Sequence, residues 1–109
     1  EQFIEGTRIM KKEAFRKVLA VREEMEEKAV AEYSLLHIAV TPEQLDEVGA
    51  RISKALRSID VVGQGADGDL YVILTQTGQE NIGVVLERLK RCGIGYQALD
   101  GSERGGATV

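Results

Sequence analysis

The sequence is poor in the residues that build covalent frameworks, membrane anchors and nucleic-acid surfaces. It has one cysteine, one histidine, two phenylalanines, three tyrosines and no tryptophan. A lone Cys92 cannot close an intramolecular disulfide, and no histidine or second cysteine stands near it at metal-ligand spacing. It reads as a small, partly buried filler ahead of Gly93 in a chain adapted to a reducing cytoplasm. No apolar run approaches the roughly 18 residues needed to cross a bilayer, and no basic segment followed by an apolar run marks a signal peptide. The segment therefore reads as soluble and cytoplasmic. Because it begins at Glu1 and not at methionine, it also reads as a piece of a longer polypeptide carrying an attached sensory or membrane domain. With 14 Lys and Arg against 18 Asp and Glu, the formal charge of −4 excludes generic nucleic-acid binding, which depends on many cationic contacts to phosphate. An anionic ligand must find a local basic cluster. There is no internal repeat. The glycine-rich GQGADGD at 63–69 lacks the lysine and the strand-to-helix setting of a phosphate loop, so it reads as a hairpin turn.

What remains fits a single domain: 109 residues, of which 43% are hydrophobic and 29% charged. From about Lys11 to Ala31, Ala14, Phe15, Val18, Leu19, Met25 and Ala29 recur at helical spacing, while Glu23, Glu24, Glu26 and Glu27 fill the solvated side. Tyr33 to Val40, YSLLHIAV, is short and apolar on both alternating faces, which predicts a buried strand. Thr41 and Pro42 supply an N-cap and a first-turn proline for a helix running to about Ser58, with Leu45, Val48, Ile52, Ala55, Leu56 and Ile59 as its apolar stripe. The runs 60–64 and 70–74 flank a turn-rich 65–69 and read as a β-hairpin. Gly78 to Arg91 offers Ile82, Val85, Leu86 and Leu89 as a core stripe, and Gly93 is placed to end that helix in a left-handed conformation. A last strand fits Ile94 to Leu99. The polar, glycine-rich stretch 100–109 reads as a flexible tail. The order α-β-α-β-β-α-β predicts an α+β, ferredoxin-like antiparallel sheet with helices packed on one face.

One short constellation stands out chemically. Arg57 and Asp60 form an Arg-x-x-Asp quartet across the expected helix-to-strand turn. An arginine guanidinium can donate two parallel hydrogen bonds to O6 and N7 of guanine, and a carboxylate can accept from N1 and the exocyclic amine. Arg51, Lys54 and Arg57 share one exposed helix side, giving a positive patch on a net acidic chain. The plainer explanations are that basic residues late in a helix complement its dipole, and that Arg57 and Asp60 form a surface ion pair. His37, inside an apolar strand, reads as a hydrogen-bonded core or interface histidine and not as a general base.

Residues 57–71, RSIDVVGQGADGDLY, resemble a degenerate GGDEF domain. In that family an Arg-x-x-Asp quartet precedes the GGDEF hairpin at a fixed short offset, and here the hairpin reads Ala66, Asp67, Gly68, Asp69, Leu70. Val72, Ile73, Leu74, Thr77, Glu87, Arg88 and Leu89 continue the pattern without a gap. Thr7, Ile9 and Phe15 match the opening motif more weakly, because lysines and a glutamate replace its Asn and Arg residues. The resemblance runs from about Thr7 to Leu99, giving a GGDEF-like domain over 1–99 followed by the tail.

The resemblance implies that the reaction has been lost. Family cyclases join two GTP molecules with divalent metal, held by an aspartate at a strand end and an acidic hairpin residue. Those positions fall on Ala39 and Gly68, and Thr41 replaces a second strand aspartate. The following segment is shorter than in active cyclases and lacks the part that recognises substrate guanine. Asp67 and Asp69 remain as metal-ligand candidates, but hairpin turns favour Asp for backbone reasons, so they are read as turn residues and no metal and no cofactor are expected. The resemblance implies no enzyme but a receptor of cyclic di-GMP, holding the ligand, taken up as an intercalated dimer, through Arg57, Asp60 and Arg88. PelD-type receptors, which control exopolysaccharide export, are the sub-group it is most similar to; a homodimer would accord with this. The alternative is a structural dimerisation or protein-docking module that binds no nucleotide.

Overall fold

The two most apolar runs of the chain lie side by side in the sheet. The computed structural model describes residues 2–78 and 80–99. In it β2 (Tyr33–Ile38) and β4 (Leu70–Thr75) are antiparallel, in register from Tyr33 opposite Thr75 to Ile38 opposite Leu70. All six residues of β4 are buried, as expected of a strand covered on both faces. β3 (Val61–Gln64) joins β4 through the hairpin, and β5 (Gln97–Leu99) pairs antiparallel with β2 on the other side. A two-residue strand, β1 (Ile9–Met10), adds to β3 in parallel, giving the order β1-β3-β4-β2-β5.

Three helices cover this sheet: α1 (Lys12–Glu27), α2 (Leu45–Ala55) and α3 (Gly83–Arg91). Expected as one continuous helix from Thr41, the second instead begins with a 3-10 turn at Pro42–Gln44, where the Thr41 amide donates to Gln44 Oε1 at 3.1 Å. α3 ends as its sequence indicates. Gly93 adopts φ 75°, with its amide on the Lys90 carbonyl and the Ile94 amide on that of Leu89, both at 3.0 Å, the pairing of a Schellman cap.

Two features differ from expectation. The sheet is mixed and not wholly antiparallel, because β1 escapes any periodicity signal in two residues and is created by long-range pairing. Helices also cover both faces. Alternation in β4 sends Leu70, Val72 and Leu74 toward α2 and α3, with Ile52, Val85 and Leu89, while Tyr71 and Ile73 point to the other side. There α1 lays Phe15 and Leu19 over Tyr33, Leu35, Tyr71 and Ile73. Two apolar strand faces leave no solvated side, so a single layer of helices cannot suffice. α1 approaches so closely that a Cβ on Gly63 would collide with the Phe15 ring. The tail at 100–109 lies outside the described residues. Among the described residues no helix is long and apolar enough to cross a membrane.

Candidate functional site

The Arg-x-x-Asp quartet forms the turn between α2 and β3. Leu56 closes the helix, its amide on the Ile52 carbonyl, and the Asp60 amide then returns to the Arg57 carbonyl at 3.1 Å. This turn folds Asp60 inward until its side chain is fully buried. A carboxylate there must be neutralised and hydrogen-bonded or it would unfold the turn. Both conditions are met. Asp60 Oδ2 accepts from the Arg57 amide and from Arg57 Nε, each at 2.9 Å, while Oδ1 accepts from Arg57 Nη2 at 2.8 Å and from the Thr75 amide at 3.2 Å. These are all the acceptor positions a carboxylate offers.

Arg57 is thus held in a side-on fork, the strongest geometry for this pair. Its Nη2 also reaches Thr77 Oγ1 at 2.7 Å and the Thr75 carbonyl at 3.3 Å. The hydrogen bond to Asp60, more than the opposing effect of burial, raises the Arg57 pKa above its already high ordinary value. Nη1 makes no hydrogen bond among the described residues, and 35% of the side chain is open to solvent.

A residue that sequence reasoning missed braces this turn from below. Arg8 donates through Nη1 to the Ser53 carbonyl at 3.3 Å and through Nη2 to the Asp60 carbonyl at 2.8 Å and the Arg57 carbonyl. It satisfies a terminal carbonyl of α2 and places positive charge at the helix's negative end. Nothing local announces it, because its partners lie 45 to 52 residues away.

Arg88 sits on the exposed side of α3, beside the buried Val85 and Leu89, and its side chain makes no hydrogen bond or ion pair among the described residues. No hydrogen bond joins it to Arg57 or Asp60. The basic side of α2 is less positive than its composition, since Arg51 pairs with Glu47 at 2.8 Å and Arg57 with Asp60, leaving Lys54 exposed.

A second polar cluster occupies the opposite end of the same strands. His37 Nε2 lies 2.8 Å from Asp69 Oδ2 and 3.9 Å from Asp67 Oδ2, and its ring stacks on Tyr71 with centroids 4.7 Å apart and planes 7° from parallel. His37 is therefore a hydrogen-bonded histidine, with a partner invisible in sequence because it comes from the hairpin 32 residues on. Burial, reinforced by its 2.7 Å hydrogen bond to Asp67 Oδ2, pushes the Tyr71 pKa well above the ordinary tyrosine value. Ala39 and Gly68, the positions that the sequence resemblance assigns to the metal ligands of cyclases, are both exposed and carry no side-chain donor atom. The family's metal does not fit those two positions. Beside Ala39 a cavity of about 400 Å³ is lined by Gln44, Val48, Arg51 and Tyr96.

No protein-family model and no curated protein sequence matches the chain. Solved structures do match it in fold. The diguanylate cyclase SiaD of Pseudomonas aeruginosa, determined in complex with its activator SiaC, superposes with a TM-score of 0.69 at 19% identity, over 83% of this chain and 40% of that one. A DGC protein of Thermotoga maritima gives a TM-score of 0.66 at 21% identity, over 84% of this chain and 79% of that one. The chain thus spans less than half the length of the SiaD chain. The fold is the GGDEF-like α+β fold of diguanylate cyclases.

Proposed function

We propose that this domain is a non-catalytic receptor of cyclic di-GMP that reads a guanine edge with Arg57 and passes occupancy to an attached domain or partner. The observation that carries the reading is the state of the Arg57 guanidinium. Asp60 and Thr77 fix its plane, yet Nη1, with two N–H donors, has no protein acceptor among the described residues. A guanine whose O6 and N7 take the Nη1 and Nη2 edge, displacing the Thr77 hydroxyl, would complete the bidentate contact. Asp60 enters as the residue that orients Arg57, its own lone pairs being filled. Arg88 supplies, on the neighbouring helix, a charge with no ion-pair partner among the described residues, suited to a phosphate or to stacking on a purine. Ala39 and Gly68 support the absence of cyclase chemistry.

Calorimetry tests this directly: Arg57→Ala should weaken cyclic di-GMP binding by about 1 to 3 kcal/mol, the range for one bidentate arginine–guanine contact. Unchanged affinity removes the assignment. The saturation of Asp60 favours a second reading, in which the turn is purely structural and the domain docks a protein, as SiaD is held by its activator. Thermal unfolding separates the two, because a ligand binding only the folded state must raise stability. A rise with cyclic di-GMP and not with GTP supports the receptor, and no rise with either supports the docking module.

A further inference from the structure

The cluster at the hairpin has the composition and spacing of a metal site. His37, Asp67 and Asp69 each offer one ligand atom, and all three atoms lie within 4.8 Å of one another. We propose that His37 Nε2, Asp67 Oδ2 and Asp69 Oδ2 together bind one divalent transition-metal ion of the Zn²⁺ type, with the remaining coordination positions open to water. The triad uses neither Ala39 nor Gly68, although Asp67 and Asp69 flank Gly68 and His37 lies two residues before Ala39.

Each ligand is held by a group outside the triad. Stacking on Tyr71 fixes the His37 ring so that Nε2 faces the carboxylates. The Tyr71 hydroxyl donates to Asp67 Oδ2, and the Val40 amide donates to Asp69 Oδ1 at 3.2 Å, leaving Oδ2 turned toward His37. Such outer partners orient metal ligands and fix which oxygen binds. Strand pairing sets the rest: His37 lies opposite Tyr71 in the β2–β4 register, and Asp67 and Asp69 follow two apart on the hairpin.

Chemistry selects the ion. An imidazole with two carboxylates suits borderline cations such as Zn²⁺, whereas Mg²⁺ prefers oxygen and water alone. A tetrahedral ion with bonds of about 2.0 to 2.1 Å needs ligand atoms roughly 3.3 Å apart, so the two carboxylates together close by up to about 1.5 Å from their present places. Both sit at the surface, where their side chains can turn. Without metal, a proton on Nε2 fills the gap in the 2.8 Å hydrogen bond to Asp69. Metal takes the lone pair of Nε2, and that proton passes to solvent or to Nδ1.

The test is a calorimetric titration of the metal-stripped, untagged chain with ZnCl₂, with MgCl₂ in parallel, alongside thermal unfolding. One Zn²⁺ per chain and a rise in Tm of several degrees are expected, with no response to Mg²⁺. His37→Ala and Asp69→Asn should each weaken Zn²⁺ at least tenfold, while Cys92→Ser leaves it unchanged. Should His37→Ala fail to fold, the exposed Asp67→Asn decides, since an amide keeps an acceptor for Tyr71 but is a poor metal ligand. Zn²⁺ affinity indifferent to Asp67→Asn and Asp69→Asn, affinity lost with Cys92→Ser, or no binding by the wild-type chain would each overturn the proposal.

Discussion

The two ends of the β3–β4 pair each set carboxylate against a nitrogen base and use them differently. At the α2 end, one carboxylate and one guanidinium are drawn inward until Asp60 is fully covered and every lone pair on it is taken. At the hairpin end, two carboxylates and an imidazole remain part-exposed, with His37 Nε2 at 2.8 Å from one carboxylate and 3.9 Å from the other. The difference comes from what covers them. Arg8, from the segment before β1, braces the α2 end, whereas the hairpin extends past the sheet with Gly68 at φ 87° and nothing within 4 Å of where its Cβ would be. A buried charge is committed to the fold because leaving it unpaired is expensive, while a part-exposed one stays available to a ligand.

The sharpest way to break this contrast is to remove the committed charge. Asp60→Ala leaves Arg57 Nε, the Arg57 amide and the Thr75 amide without acceptors, so urea denaturation should show a loss of about 3 kcal/mol, the lower end for a broken buried pair because Arg57 is partly open and its Nη2 keeps Thr77 and the Thr75 carbonyl. A loss below about 1 kcal/mol, the value of a surface pair, would mean that burial does not set the energy here. Arg8→Met should follow at about 1.5 to 3 kcal/mol for its charge-assisted bonds to the Ser53, Arg57 and Asp60 carbonyls. It should also weaken any ligand held by Arg57, because the turn loses its brace; Arg8→Met with wild-type stability would separate the N-terminal segment from the site.

These two sites also show what local sequence can and cannot disclose. The helix stripes, the hairpin and the Gly93 cap are readable because they repeat or punctuate within a few residues, and Arg57 with Asp60 is readable because i and i+3 meet across a turn. β1, Arg8, Thr77 and the partners of His37 are not, since each acquires meaning only from a strand or turn distant in sequence. The placement of α1 on the second sheet face belongs with them: amphipathicity shows that a helix has a face to bury but not which side of the sheet receives it. Arg88 is legible as a cation flanking an apolar stripe, but periodicity gives no distance between α3 and the α2 turn.

At the hairpin end the expected effects are smaller. Asp69→Asn removes a part-exposed charge from His37 and should cost no more than about 1 kcal/mol in the absence of metal. Tyr71→Phe should cost about 0.5 to 1.5 kcal/mol at neutral pH, one hydrogen bond to Asp67. Its pH dependence is the finer probe. Burial and Asp67 raise the Tyr71 pKa in the fold, so the folded state favours the neutral phenol. That contribution is fully present below the ordinary tyrosine value of 10.0 and is lost as pH rises from there through the folded value. The stability difference between wild type and Tyr71→Phe, measured by urea denaturation, should therefore stay constant up to about pH 9 and shrink, then reverse, above about pH 10. A difference that stays flat through pH 11 would show the phenol to be as free to ionise in the fold as in the unfolded chain, and the hairpin end to be more open than its Tyr71–Asp67 contact indicates.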